Sequence, residues 1–433
     1  MHPETGRKNP GRRSRWRRSV TSVRVERLYK IFGPQPTELV RRLEAGADQE
    51  EIKAASSTAA VVDASFDVQE GETFVVMGLS GSGKSTLIRM LNGLLTPTAG
   101  RVFVDDEDIT KMSAGALRTM RQQKMSMVFQ HFALFPHRTV LDNAGYGLQI
   151  KGAGKSEITE KAREALSLVG LEGWEERYPQ QLSGGMRQRV GLARALAAHT
   201  DVLLMDEAFS ALDPLIKREM QDQLLNLNAK LGKTIIFITH DLNEAMRLGD
   251  RIAMMRAGEI VQIGTAEQIL NEPADDYVAS FVQDVDRSRV LSAASIAEPP
   301  ETLLSASASP DEALALMRQQ HTDRLFVADG GQRLLGELSA AAAEQAHQDG
   351  RSDVRSVLAP VTDPVAGTTP MKALLSRMST EAVPTPVVDE QQRLLGVITP
   401  VAVFQALCQE VPAAEGGDGA DAAAIKEASA SDV

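Results

Sequence analysis

Gly78-Leu79-Ser80-Gly81-Ser82-Gly83-Lys84-Ser85-Thr86 follows the apolar run Phe74-Val75-Val76-Met77 and precedes Leu87-Ile88-Arg89-Met90-Leu91. A buried strand, a glycine-rich turn and a helix start make a cradle for phosphate, because glycines let backbone N–H groups come close and the helix N-terminus favours negative charge. A nucleoside triphosphate is the expected ligand. Lys84 reaches the β and γ phosphates as a mobile point charge, and the Ser85 hydroxyl ligates the Mg²⁺ that bridges them. Gly78, Ser80, Gly81, Ser82 and Gly83 supply the rest of the nucleotide-binding loop, and Thr86 continues into the helix.

Further strands carry polar residues to the same end of an α/β sheet, where ligands of open sheets bind. Met125-Ser126-Met127-Val128-Phe129 ends at Gln130, whose amide senses Mg²⁺ or the attacking water. Val202-Leu203-Leu204-Met205 ends in Asp206-Glu207. Two adjacent acids repel unless a cation or a reaction employs them, so Asp206 is read as a Mg²⁺ ligand and Glu207 as the base that places water. Thr234-Ile235-Ile236-Phe237-Ile238-Thr239 ends at His240, expected near the γ-phosphate. Leu182-Ser183-Gly184-Gly185-Met186-Arg187-Gln188 is a second phosphate-suited turn, opening a helix expected over 189–198, and it lacks a lysine.

Upstream, the strand over 22–32 ends in Tyr29-Lys30-Ile31-Phe32, whose aromatics either stack on a base or pack in the core. Residues 37–60 have helical spacing and form an insertion before the strand 61–68. From 131 to about 182 a helical insert interrupts the strand rhythm, and its Phe132, Leu134 and Phe135 serve either docking or core packing.

At 433 residues the chain is expected to hold two or three domains. No apolar run is long enough to span a bilayer, and no apolar signal segment follows the basic start, so a cytoplasmic location is expected. The lone Cys408 excludes an internal disulfide and a cysteine-based zinc site. A net charge of −11 argues against general nucleic-acid binding. Residues 1–20 carry Arg7, Lys8, Arg12, Arg13, Arg15, Arg17 and Arg18 and read as a disordered basic extension, either a solvated tail, an anionic-lipid contact or the product of a start placed too far upstream. Residues 409–433, with Glu410, Glu415, Asp418, Asp421, Glu427 and Asp432, read as a disordered acidic tail.

In order and spacing, Gly78 to Thr86, Gln130, Leu182 to Gln188, Asp206-Glu207, Ser210 to Asp213 and His240 resemble the ATPase subunit of an ABC transporter. The resemblance implies ATP and Mg²⁺ as cofactors and a head-to-tail pair of copies. In that pair Ser183, Gly184 and Gly185 of one copy close over the γ-phosphate held by Lys84 of the other, and Asp213 joins the ATP site. It implies Phe32 as the adenine-stacking aromatic with Tyr29 as fallback, and Gln130 with the following Phe132-Ala133-Leu134-Phe135 as the coupling to a polytopic membrane permease. Met77 to Gly83, Val128-Phe129-Gln130, Asp206 to Ile216 and the 37–60 insertion are similar to the glycine betaine/proline-type importers of compatible solutes. That implies a peripheral subunit on the cytoplasmic face of the membrane, served by an extracytoplasmic solute-binding protein. A soluble ABC ATPase acting on DNA or ribosomes, or an importer of another small solute, is the alternative.

A duplication fills the remainder. Ser309-Pro310 recurs as Thr369-Pro370, Leu314 as Leu374, Asp329 as Asp389 and Gln332-Arg333-Leu334-Leu335-Gly336 as Gln392-Arg393-Leu394-Leu395-Gly396, all at one interval. Ser309, Pro310 and Glu312 spell a capping box, and Thr369-Pro370 is expected to open the second helix similarly. The repeat looks like a tandem pair of cystathionine-synthase-type (CBS) modules. Adenosine-binding members end in Gly-x-x-Thr-x-x-Asp, but here Ala402 follows Gly396 and Thr399, and Ala342 follows Gly336 and Ser339. A nucleotide-free pair sensing ionic strength through screened charge contacts is the favoured reading. The expected architecture is therefore α/β: a P-loop ABC-type ATPase domain over 21–290 with a helical subdomain, then a smaller α/β tandem CBS domain over 298–408. Deleting residues 411–433 is expected to shift the salt concentration at which ATPase-coupled solute uptake switches on, and an unchanged threshold rejects a sensing role for that acidic stretch.

Overall fold

Thr73–Met77 is buried at every position, and a strand without a polar face needs cover on both sides. The computed structural model, which describes residues 23–130, 133–210, 212–283, 285–299, 303–361, 363–378 and 384–408, provides it with a parallel sheet wrapped by helices. The basic extension, the acidic tail, Phe132 and Ala211 lie outside the described residues. By internal contacts the chain divides into two units between Ile263 and Gly264.

In the first unit the strands are β1 (Val23–Phe32), β2 (Thr58–Val68), β3 (Thr73–Met77), β4 (Ala99–Val104), β5 (Glu107–Asp108), β6 (Met125–Val128), β7 (Val202–Asp206), β8 (Thr234–Thr239), β9 (Arg251–Arg256) and β10, which begins at Glu259. One sheet has the order β10-β9-β3-β8-β7-β6, and its β9-β3-β8-β7-β6 pairings are parallel. An antiparallel sheet, β2-β1-β4-β5, shares its core: Phe66 of β2 stacks on Phe74 of β3 with ring centroids 4.9 Å apart. Helix Lys84–Leu91 buries Leu87, Ile88, Met90 and Leu91 in that same core.

The 37–60 insertion forms two short helices, Pro36–Glu44 and Gln49–Ala54. Leu39, Val40 and Ile52 pack on Tyr29, Ile31 and Val62, so the insertion is a cover for one end of the antiparallel sheet. Between β6 and β7 lie the helices Val140–Ala144, Tyr146–Ile150, Lys155–Leu168 and Gly184–Ala197. The last begins at Gly184, five residues before the expected Arg189, because the Ser183 hydroxyl caps it by accepting from Met186 N at 3.3 Å.

The second unit repeats one pattern twice. β11 (Leu304–Ser305), β12 (Arg324–Ala328) and β13 (Leu334–Ser339) form one sheet; β14 (Val365–Ala366), β15 (Thr385–Val388) and β16 (Leu394–Ile398) form the other. In each, the first pairing is parallel and the second antiparallel. The copies meet through reciprocal bonds, Leu334 N to Gln392 O at 3.0 Å and Leu394 N to Gln332 O at 2.9 Å. The capping box at Ser309 and Glu312 forms, with Pro310 at the first helical position. Its expected counterpart does not: the second helix starts at Met371, Lys372 stands where Glu312 stands in the first copy, and no carboxylate reaches back. Residues 264–290, expected with the ATPase domain, group with this unit. Within it Arg287 Nε donates to Ala406 O at 2.9 Å, and Ala293 N and Ala294 N donate to Thr369 O and Gly367 O.

Ile52 is fully buried on the inner face of the insertion. Replacing it with alanine should cost about 2–5 kcal/mol of local stability, read as faster amide hydrogen exchange across 58–68 with exchange in 304–398 unchanged.

Candidate functional site

Because β3, β6, β7 and β8 run parallel, their carboxyl ends open on one edge. Gly78, Gln130, Glu207 and His240 all follow those ends, and Asp206 is the last residue of β7. The loop after β3 fits only glycine at Gly83: its φ is +101°, and a Cβ there would lie 2.0 Å from the Ala60 carbonyl oxygen. Gly258 N donates to Ser82 O at 3.0 Å and fixes the loop from the other side. Ser80 and Gly81 stand exposed at the tip while Ser82 is buried.

Lys84 is buried, and its ammonium donates to Gly78 O at 2.7 Å and Leu79 O at 2.8 Å. Burial pushes its pKa down, against the pull of Glu207 and Asp206. A phosphate group would offer this cation stronger acceptors than two neutral carbonyls. Ser85 Oγ donates to Asp206 Oδ1 at 3.1 Å, joining the helix start to the end of β7. Burial raises the Asp206 pKa, against the hydrogen bond from Ser85 and the nearby Arg89. The two offer hard oxygen donors of the kind Mg²⁺ takes, one or two from protein with phosphate and water completing the shell. Among the described residues no group of three or more His, Cys, Asp or Glu is arranged so that it could hold a metal ion.

Glu207 is held between two partners. Gln130 Nε2 donates to its Oε2 at 3.0 Å, and His240 Nδ1 stands 3.6 Å from the same oxygen. The His240 imidazole holds the Glu207 carboxyl below the usual range, and Glu207 in turn raises His240. Glu207 itself has φ +45°, a left-handed conformation that costs a non-glycine residue energy and turns its side chain away from the line of β7. Glu207 N donates to Ile238 O at 3.1 Å and pins that turn to β8.

The structure thus brings together Lys84, Ser85, Gln130, Asp206, Glu207 and His240. Ser183, Gly184, Gly185, Asp213 and Phe32 share no hydrogen bond with that cluster among the described residues. Ser183 is exposed at the start of its helix, and Asp213 is exposed at the start of helix Pro214–Leu231 without capping it through its side chain. Phe32 is 45% exposed at the end of β1, whereas Tyr29 is 3% exposed inside the cluster under the insertion, so only Phe32 offers a ring face. Leu134 and Phe135 are half-buried, and the Phe135 ring lies 4.5 Å from that of Tyr146. Sequence reasoning missed the buried charges around Lys217 and Glu244 behind His240. The signal was a glutamate on an otherwise apolar face of the helix that follows Asp241.

Residues 61–210 match the family model described as ABC transporter. The glycine betaine transport ATP-binding protein OpuAA of Bacillus subtilis is 50% identical over 89% of this chain and 92% of its own length. The glycine betaine/proline betaine transport system ATP-binding protein ProV of Escherichia coli is 47% identical over 90% of this chain and 98% of its own. Among solved structures, a dimeric ATP-binding cassette in a post-hydrolysis state bound to ADP and Pi is 31% identical, with a TM-score of 0.49, covering 56% of this chain and 98% of that one.

Replacing Gly83 by alanine forces the loop off the Ala60 carbonyl. The affinity for a fluorescent ATP analogue should fall about a hundredfold, the effect of a few kcal/mol of backbone strain and lost N–H contacts, measured by titration with the circular dichroism of the chain unchanged.

Proposed function

This chain belongs to the ATP-binding subunits of glycine betaine and proline betaine ABC importers, and from that premise we propose how its residues drive transport. It is a transport ATPase. The observation that carries the mechanism is the convergence of Lys84, the Ser85–Asp206 pair and the Gln130–Glu207–His240 group on one sheet edge.

ATP lies along the 78–86 loop with its phosphates on the helix N-terminus, and Phe32 stacks on the adenine. Lys84 leaves Gly78 O and Leu79 O for the β and γ phosphates. Ser85 and Asp206, with Gln130 beside them, would hold Mg²⁺, which supplies charge neutralisation at the phosphates when bound. Glu207 orients water for attack and takes its proton; His240 keeps the carboxylate ionised and faces the γ-phosphate. One copy holds only part of the pocket. A second copy, packed head to tail, brings its Ser183, Gly184 and Gly185 over the γ-phosphate, with Asp213 at the same junction. The exposed Ser183 and Asp213 support this reading, since neither is engaged with its own chain's phosphate loop.

The pair sits on the cytoplasmic face of a polytopic permease, which a solute-binding protein supplies from outside. Among the described residues no helix is long and apolar enough to cross a membrane, as a peripheral motor requires. The segment from Gln130 through Phe135 is the link to that permease. Asn143 supports it: fully buried, it accepts from Phe135 N and donates to the carbonyls of Phe135, Arg138 and Thr139. The repeat in the second unit acts as a CBS-type regulatory pair that tunes uptake to ionic strength. Ser339 and Thr399 cap helices by accepting from Ala342 N and Ala402 N, so neither copy presents a carboxylate for a ribose.

Glu207→Gln is expected to leave ATP affinity intact while turnover falls about 10²- to 10⁴-fold, the loss of a general base. In a strain lacking this chain, the unaltered protein should restore uptake of labelled glycine betaine or proline betaine at high osmolarity and Glu207→Gln should not. Restored uptake by the variant would sink the assignment of Glu207.

A further inference from the structure

Behind the His240 turn lies a buried polar network that the hydrolysis mechanism leaves unused. Thr239, the last residue of β8, donates through its hydroxyl to Glu244. Glu244 is 3% exposed; it accepts from Gln221 Nε2 at 3.2 Å and stands 3.1 Å from Lys217 Nζ. Lys217 Nζ lies 2.7 Å from Asp241 Oδ2, and Asp241 caps helix Leu242–Leu248 by accepting from Asn243 N and Glu244 N. Arg247 extends the network to Gln221 Oε1 at 3.4 Å and Asp222. Burial pushes the Glu244 carboxyl up, against Thr239 and Lys217.

Lys217, Gln221 and Asp222 share the helix Pro214–Leu231, whose cap is Asp213. The first turn of that helix presses on the serine-glycine turn: a Cβ on Gly185 would lie 2.8 Å from Ile216 Cγ2. One copy therefore has a continuous line of contacts from the His240 turn through Asp241, Glu244 and Lys217 to Ile216 and Gly185. A buried ion pair contributes little net stability, but it fixes which arrangement of two elements is allowed. Removing one partner strands the other in the interior.

We propose that Lys217 and Glu244 are positioning residues that hold a copy's His240 turn in register with its own Ser183–Gly185 turn, so that the γ-phosphate at one site sets the turn offered to the other. This rests on the two-copy reading above. The test uses the full chain with Glu207→Gln, which keeps bound ATP from turning over, and follows pairing by sedimentation in ATP and in ADP. Adding Lys217→Met is expected to weaken ATP-driven pairing about tenfold, a typical coupling between sites, with the unpaired chain's affinity for an ATP analogue unchanged. Lys217→Arg should restore pairing. Lys217→Met/Glu244→Gln avoids a stranded carboxylate at the buried Glu244, leaves only the partly exposed Asp241 without its lysine, and should show the same loss. Undiminished pairing with Lys217→Met or with the double variant overturns the proposal, as does a parallel fall in pairing and nucleotide affinity, which marks a merely structural role. If Glu207→Gln alone fails to pair in ATP, the two-copy reading itself falls and this inference with it.

Discussion

The parallel register of β3, β8 and β7 is the constraint on which everything else depends. Met77 lies opposite Thr239, and Asp206 lies opposite Ile238, so the residues that follow these strands emerge together at one edge. Slipping one strand by a single position would turn its side chains to the other face and separate Glu207 from Gln130 and His240. All three strands are buried at every position, so it is the fit of individual side chains, not an apolar and a wet face, that holds this register. Site geometry and core packing are thus one problem in this chain: the strands that cannot be wetted are those that place Glu207 at the sheet edge.

Much of this was legible in the sequence, for a physical reason. Strands buried on both faces read as unbroken apolar runs, and the polar residue that ends such a run marks the sheet edge. Gln130, Asp206, Glu207 and His240 were placed at the sheet edge that way, and the bond between Ser85 and Asp206 came only with the fold. The tail duplication was visible because both copies solve the same turn: Asp329 and Asp389 each accept from the backbone N–H four residues on, and Gln332 and Gln392 take φ of 62° and 63°. Even the repeated glycines have one cause. A Cβ at Gly336 would meet the Ala359 carbonyl, and one at Gly396 the Glu298 carbonyl, where a segment from outside the hairpin crosses each one.

What escaped the sequence was whatever depends on distant partners. The left-handed Glu207 is invisible because glutamate carries no preference for that conformation; the bond from its N–H to Ile238 O and those from Ser210 N and Oγ to its carbonyl hold it. The start of the helix at Gly184 was placed too late because two glycines argue against a helix locally, and the Ser183 cap outweighs them. The grouping of residues 264–290 with the second unit was likewise hidden, since short helices take their allegiance from what they pack on. Arg287 reaching Ala406 O is a contact across most of that unit's sequence.

The contrast between the two charged centres of the first unit shows how the fold divides its labour. At the sheet edge, Asp206 and Lys84 are buried with bonds to neutral groups, Ser85 Oγ for one and loop carbonyls for the other, so each retains unspent capacity for an ionic ligand. One layer behind, Lys217, Asp241 and Glu244 are bonded to one another, and Thr239 and Gln221 take up what remains. The first set is built to exchange partners and the second to keep them. On the proposed mechanism the site needs both: charges that a phosphate group can draw, and a rigid connection that would carry their displacement to the helix that follows Asp213 instead of letting it dissipate in loops.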